Sequence, residues 1–419
     1  MKQNKNNFKL QCINCNKQYS GIGTMYLCPA CSKKNMANEL PKGVLKILYN
    51  HDQIREDISK KKNPWEYLKN NGFIDLSPIN SIKSLPNLRI GNTPLYKIDK
   101  LNNSAIPFNL FLKDDSQNPT YSFKDRASSI VSAYAKENGI DKIVAASTGN
   151  AGSSLAGICA AQGQKAIILV PESAPLAKLT QILMYGATLV PVKGTYDDAF
   201  DLSIKATEEF GWYNRNTAYN PLTIEGKKTV SFELFEQLNF KTPDRIFVPV
   251  GDGVIISGVY KGFEDLLKLN IIKKMPIIVA VQSKGSDNLI RNLNNNDFQI
   301  KTSNTIADSI SVDIPRNFYM AQQFIQTYNG EYLTVSDKEI LEASSYLSKS
   351  TGLFAEPAAA TAFAGLLSYK KNNKIPDHSD NVVLLTGSGL KDLQAVSKML
   401  KIPEAIEPDI RNLSRVKTI

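Results

Sequence analysis

The 419 residues predict an α/β protein of two doubly wound, mostly parallel-sheet domains behind a small N-terminal cysteine ribbon. Three observations carry this reading. From Asp141 onward, short apolar runs of strand length alternate with helix-period segments across brief connections, a pattern that implies parallel sheets covered on both faces. Three of those runs end in glycine-containing loops, Ser147–Gly152, Gly251–Val254 and Thr386–Gly389, and such sheets bind ligands at the carboxyl ends of their strands. Four of the five cysteines, Cys12, Cys15, Cys28 and Cys31, form two C-x-x-C pairs near the start.

Each C-x-x-C makes a tight knuckle, and two knuckles on a short hairpin give a tetrahedral thiolate cage for zinc. A disulfide pair, or a relic fold without metal, would use the same residues. Four thiolates leave no open coordination position, so zinc held here is expected to be structural. It would staple residues 1–38, a unit too small to bury a stable core unaided. Cys159 lies in an Ala/Gly-rich helical pattern and reads as a buried small hydrophobe.

Composition is that of an ordinary globular protein, 42% hydrophobic and 21% charged, with enough chain for two or three domains. A formal net charge of +10 would suit nucleic acid or small anions. The compact basic runs, Lys60–Lys62 and Lys370–Lys371, read as solvated faces, and no nucleic-acid-reading motif accompanies them. The two histidines, His51 and His378, lie away from the glycine-rich loops, so another group must move protons. No apolar run reaches the roughly 18 residues of a membrane span. Met1–Lys9 is polar and lacks a signal-peptide core. The expected compartment is the cytoplasm, which argues against disulfides.

In chain order, residues 41–90 are polar, with helical patches around Leu45–Leu48 and Trp65–Leu68. Gly91–Leu95 is a turn entering a strand, and Phe108–Lys113 is another strand. Strands follow at Lys142–Ser147, Ala166–Pro171, Thr188–Val192, Arg245–Val250, Pro276–Gln282 and Asn381–Leu385. Helices are expected at Ser153–Ala161, Leu176–Tyr185, Asp197–Phe210, Glu225–Leu238, Ile256–Leu267, and near 317–328, 336–349 and 356–370.

The stretch Asn118–Arg126 draws attention within this frame. Pro119 favours an extended or turn entry. Ser122, with Asp125 three residues on, resembles a capping box. Phe123, Ala127, Ile130, Val131 and Tyr134 then share one helical face, and Gly139 is a stop. Lys124 therefore falls in a helix's first turn, where the macrodipole disfavours a cation. That pushes it toward the neutral amine, the form that attacks a carbonyl. A solvated Lys-Asp-Arg cluster is the plainer alternative.

The three loops supply what such a lysine would need. Gly251–Gly258 follows a strand and opens a helix, so its amides can converge on an anion. It is neither a Walker loop nor a dinucleotide fingerprint. Ser147-Thr148-Gly149-Asn150 offers hydroxyls and amides suited to a carboxylate, and Thr386–Gly389 offers neutral hydroxyls. Each loop alone would also serve as a routine turn. Together they suit a phosphorylated aldehyde cofactor, pyridoxal phosphate, held as a lysine imine.

The chain resembles the fold-type II pyridoxal-phosphate enzymes (tryptophan synthase beta-like), and among them the threonine synthase family. The matching places are G-N-T-P-L (91–95), N-P-T-Y-S-F-K-D-R (118–126), S-T-G-N-A-G (147–152) and V-P-V-G-D-G (248–253). Further matches are I-A-D-S-I (306–310), P-R-N (315–317), G-L-F-A-E-P-A-A-A (352–360) and L-L-T-G-S-G-L-K-D (384–392). They run in family order, and a leading cysteine ribbon also occurs in some members.

The resemblance implies that Lys124 carries the cofactor and shuttles protons as its free amine. It implies that Asn150 bonds the cofactor's ring hydroxyl, and that the amides of Gly251, Asp252, Gly253, Val254 and Ile255 hold its phosphate. Thr386 would bond the pyridine nitrogen, and Ser147, Thr148, Gly149, Asn150 and Ala151 would cradle the substrate carboxylate. It further implies a large domain from 39–135 and 240–405, a small closing domain from 136–239, a tail from 406–419, and a homodimer.

Two places depart from the family pattern. Where the family reads roughly N-S-x-N-P-Y-R-x-E-G-Q-K-T to bind a substrate phosphate, this chain has Thr217, Ala218 and, in place of the arginine, Thr223. Loss of a bidentate clamp is not conservative, although Lys227 or Lys228 could compensate. Asp252, Val254 and Ile255 replace the more usual Asn, Gly and Asn, and an acid beside a phosphate must turn its side chain away. The expected activity is threonine synthesis from O-phosphohomoserine and water. The alternative is β-elimination or β-replacement on serine, threonine or O-phosphoserine, as in dehydratases or cysteate synthase-like relatives. A third reading is a non-catalytic binding protein on a degenerate lyase fold.

Overall fold

The computed structural model describes residues 8–21, 23–36, 39–295, 297–397 and 399–413. Residues 1–7, 22, 37 and 38 of the expected ribbon, Asn296 of a polar loop, Lys398, and the last six residues of the expected tail lie outside them.

The described strands, in chain order, are β1 (Phe8–Cys12), β2 (Gln18–Ser20), β3 (Leu45–Tyr49), β4 (Leu95–Leu101), β5 (Ser104–Asp114), β6 (Lys142–Ala146) and β7 (Lys165–Pro171). They continue with β8 (Thr188–Val192), β9 (Tyr213–Asn214), β10 (Arg245–Pro249), β11 (Ile277–Ser283), β12 (Glu331–Val335) and β13 (Asp380–Leu385). They form three sheets, ordered β2-β1-β3, β12-β11-β10-β13-β5-β4 and β8-β7-β6-β9. The four-stranded sheet is parallel throughout, and the six-stranded sheet is parallel except for its β4–β5 hairpin.

The central strands β6, β7, β10, β11 and β13 are buried nearly end to end, as strands covered on both faces must be. One face of the large sheet packs on the helices Asp337–Thr351 and Pro357–Lys371, where Phe247, Val279, Leu347, Phe363 and Val383 share a core. The outer face of the small sheet packs on Tyr196–Phe210 through Ala199 and Phe200. The main core runs on without a break into the ribbon residues Phe8, Leu10, Cys12 and Cys28.

Most elements fall where the sequence places them, with four differences. Leu45–Tyr49 is a strand, not a helical patch: Leu45, Ile47 and Tyr49 alternate inward and pair with Cys12, Leu10 and Phe8. The expected helix Glu225–Leu238 is two helices, Leu222–Lys227 and Thr229–Gln237, meeting at Lys228. The sequence reading passed over β9, two residues long, and β12, an edge strand lying between two strong helical patterns. Ser122 is not a cap. The helix starts at Lys124 with Phe123 in the N-cap position, and Ser122 Oγ is buried with no partner among the described residues. Tertiary pairing overrides the local signal, since Ser122 bridges to Gly387 beside the end of β13.

Candidate active site

The strands β5, β13 and β10 are adjacent, and the chain leaves each at the same end of the sheet. After β5 it turns at Asn118–Tyr121, where Tyr121 takes a left-handed φ of 67° that a bulky side chain rarely adopts. That turn lays the next residues against the loop after β13. Phe123 N–H donates to the Thr386 carbonyl at 2.8 Å, and Ser388 N–H donates to the Tyr121 carbonyl at 3.1 Å. Lys124 and Thr386 are thereby brought side by side.

Asp125 and Arg126 are buried, so the Lys-Asp-Arg cluster is not a solvated face. The Asp125 carboxylate accepts from Thr120 N–H at 2.7 Å and from its hydroxyl at 2.5 Å. The Arg126 fork bonds Asp115 at 2.6 and 3.0 Å and Glu233 at 2.6 and 2.8 Å. These two residues fix the start of the helix, and Lys124 alone faces the cleft. No hydrogen bond or salt bridge holds its amine among the described residues. Burial lowers the Lys124 pKa to about 8, with Arg215 acting in the same sense and Glu356 and Asp252 opposing.

The loop after β10 begins the helix Val254–Lys268, with Gly253 at φ 84°. The first amides of a helix have no intrahelical acceptor, which makes this helix start a candidate seat for an anion. The Asp252 carboxylate accepts from the Arg316 N–H at 3.3 Å and stays within electrostatic reach of Lys124 and Lys227. Burial raises its pKa all the same, with Arg316, Lys124 and Lys227 opposing. Opposite lies the loop after β6. Gly152 packs so closely that a Cβ would stand 2.4 Å from the Ser147 carbonyl oxygen, which brings the amides of this helix start beside Ser147. Asn150, at its head, donates to both Glu356 carboxylate oxygens at 2.8 and 3.1 Å and to Ser309 Oγ at 3.2 Å.

Contacts across the cleft hold the two sheets closed. Lys178 pairs with Asp308 at 2.8 Å, Arg316 pairs with Asp197, and Lys391 donates to Ser153 Oγ at 2.8 Å and to Gln181.

The structure thus assembles Lys124, Asn150, Thr386, Ser147–Ala151 and Gly251–Ile255 around one cleft. It also brings in residues to which the sequence reading gave no role. Glu356, inside G-L-F-A-E-P, is buried, and desolvation raises its pKa to about 7 against the pull of Asn150, Lys124 and Lys391. Arg215 follows β9 and carried no sequence signal. Of the two lysines weighed at 227 and 228, Lys228 is committed to Glu225 and Asp265 at 2.5 and 2.8 Å, whereas Lys227 adjoins Lys124, Arg215 and Asp252. Thr223 donates to the Asn220 carbonyl at 2.8 Å within its own turn.

Away from the cleft, the Sγ atoms of Cys12, Cys15, Cys28 and Cys31 all lie within 4.8 Å of one another. Cys12–Cys31 and Cys15–Cys28 are 3.7 and 3.8 Å apart. Tetrahedral thiolates about 2.3 Å from a zinc ion would be separated by about 3.8 Å. No described helix is long and apolar enough to cross a membrane.

Residues 87–387 match the family described as "Pyridoxal-phosphate dependent enzyme". A threonine synthase of Methanocaldococcus jannaschii is 34% identical over 416 residues, 97% of this chain and 98% of that protein. One of Methanosarcina acetivorans is 32% identical over 411 residues, 96% and 97% respectively. Among solved structures, a processed threonine deaminase from Solanum lycopersicum shares the fold, with a TM-score of 0.65 at 20% identity over 84% of this chain and 94% of that one. A serine racemase from Dictyostelium discoideum gives 0.60 at 26% identity, covering 72% and 93%. With the cleft built around Lys124 and these likenesses running through it, the chain belongs to the pyridoxal-phosphate dependent enzymes, as one of their threonine synthase-like members.

Proposed function

We propose that the protein is a pyridoxal-phosphate lyase that converts O-phosphohomoserine and water into threonine and phosphate. The observation that carries this reading is the unpaired Lys124 amine between an amide-lined anion seat at Gly251–Ile255 and the hydroxyl of Thr386. The threonine synthase likeness over nearly the whole chain supports it. When bound, the cofactor supplies an electron sink for carbanions next to the amino-bearing carbon.

The residues fit that group. Gly251, Asp252, Gly253, Val254 and Ile255 would seat its phosphate by backbone N–H, with the Asp252 carboxylate held by the Arg316 N–H. Asn150 would meet its ring hydroxyl, and Thr386 Oγ1 its ring nitrogen. Ser147, Thr148, Gly149, Asn150 and Ala151 would hold the substrate carboxylate. Lys124, as the free amine, would take the Cα proton and then a Cβ proton, and return them to Cγ and finally to Cα. The Cγ–O bond breaks and phosphate leaves, and water gives its hydroxyl to Cβ and its proton to the released phosphate. Residues 39–135 and 240–405 would hold the cofactor, and 136–239 would close over the substrate, a division the two sheets support. The four cysteines would hold structural zinc. A cytoplasmic homodimer is the assembly we expect.

One observation favours a second reading, β-elimination or β-replacement on serine, threonine or O-phosphoserine: Thr223 spends its hydroxyl inside its own turn and clamps nothing. The test is to assay phosphate release from O-phosphohomoserine and O-phosphoserine beside keto-acid formation from serine and threonine. Threonine formed from O-phosphohomoserine supports the first reading. Keto acid from serine or threonine, with O-phosphohomoserine inert, rejects it.

A further inference from the structure

The Asn150 side chain is held by one end only. It heads the helix Asn150–Gln162 beside the small sheet, and its partners Glu356 and Ser309 stand across the cleft. Asn150 Nδ2 donates to Glu356 Oε1 and Oε2 at 2.8 and 3.1 Å and to Ser309 Oγ at 3.2 Å. An amide nitrogen carries two hydrogens. The carboxylate fork takes one and the serine oxygen takes the other, so the nitrogen has nothing left to donate. Asn150 Oδ1, by contrast, bonds nothing among the described residues and is not sealed from the cleft.

Glu356 cannot give way. It is 3% exposed. Its N–H donates to the Gly387 carbonyl at 3.1 Å, and a Cβ on Gly387 would stand 2.5 Å from Glu356 Oε1. The carboxyl group is thus pressed against the loop after β13, next to the residue that follows Thr386. Above about pH 7 it is ionised and only accepts, so the amide meets it nitrogen first. A reversed amide would set Oδ1 against the carboxylate oxygens and strip a buried charge of its donor, which is the costlier arrangement.

We propose that Glu356 and Ser309 are positioning residues: by committing the Asn150 amide nitrogen they make Asn150 present an acceptor, Oδ1, to the ring hydroxyl of pyridoxal phosphate, and so keep the proton on that hydroxyl. The inference rests on the cofactor placement given above and adds which partner donates. A hydrogen bond from the amide nitrogen would favour the ionised hydroxyl, and one into the amide oxygen favours the neutral form. The Glu356 charge behind the amide acts in the same sense, because a like charge nearby disfavours a second anion.

The test reads the absorption spectrum of the cofactor-loaded protein at pH 8 in the wild type, E356L, E356Q and S309A. The bound cofactor absorbs at shorter wavelength with its hydroxyl neutral than with it ionised. The wild type should show mainly the shorter-wavelength band. In E356L the freed Nδ2 can turn to the hydroxyl, and the ratio of the two bands should move toward the longer wavelength by about 10-fold, the worth of one hydrogen bond. E356Q, whose amide oxygen still accepts from Nδ2, should keep the wild-type spectrum. S309A frees one of the two hydrogens and should shift the ratio in the same direction by about 3-fold. It decides alone if E356L does not fold. A longer-wavelength band already dominant in the wild type, or a ratio unmoved in E356L and S309A, overturns the proposal. A purely structural Glu356 gives that second result, with a lower melting temperature in E356L and no band displaced. A wild type that takes up no cofactor rejects the lyase reading itself, and the inference with it.

Discussion

Asn150 Nδ2 lies 2.8 and 3.1 Å from the two carboxylate oxygens of Glu356, joining the head of a small-sheet helix to the large sheet's side of the cleft. Burial raises the Glu356 pKa from its ordinary 4.5 to about 7. Between those values the folded protein keeps a proton that the unfolded chain has released, so stability falls as pH rises through the interval. E356Q removes that dependence and keeps an acceptor for Asn150. The cofactor-free variant should be more stable than wild type at pH 8, by up to about 3 kcal/mol, and equal to it near pH 4. Urea melts at the two values check this, and a loss of stability at pH 8 would reject it.

Lys124 should be the point of cofactor attachment. Because its pKa is lowered to about 8, the neutral amine becomes abundant as pH rises through that value, and capture of pyridoxal phosphate by the cofactor-free protein should accelerate over the same range. Borohydride reduction should fix the cofactor to the peptide carrying Lys124, and K124A should bind it without covalent attachment. Labelling of any other lysine would refute the assignment.

Arg126 should be a stability residue. Despite burial, Arg126 and Lys113 hold the Glu233 pKa down to about 2, so this contribution is present above pH 4.5 and lost as pH falls toward 2. Lysine cannot bridge Asp115 and Glu233 with one fork, so R126K should cost about 3–5 kcal/mol at neutral pH. Chemical denaturation measures it.

The ribbon should support the substrate side of the cleft. Tyr26, between the two cysteine pairs, accepts the Asn214 N–H at 2.8 Å and stacks on Tyr219 at 4.6 Å. Asn214 immediately precedes Arg215. Y26F leaves that buried amide unpaired and should cost about 1–3 kcal/mol. One zinc per chain, absent in C12S, together with a lower melting temperature in C12S, would establish the metal's structural role. Full stability without metal would count against it.

Much of the site was legible because its residues sit in local contexts with local meaning. A lysine at a helix start, glycines at strand ends and cysteines at knuckle spacing each report their chemistry within a few residues. Periodicity likewise located most strands and helices. Where it failed, the deciding partner was far away in sequence. Leu45–Tyr49 became a strand because β1 offers it an edge, and Ser122 lost its capping role to Gly387.

The amino-acid sequence by itself determined the fold class, the family and the lysine that the cleft is built around. Tertiary structure alone decided which charges are paired. Lys227 and Lys228 are neighbours in one motif, yet one is paired with Glu225 and Asp265 while the other makes no hydrogen bond or ion pair among the described residues. Pairing depends on which helix faces which, and the carboxylates that make the difference lie up to 37 residues away.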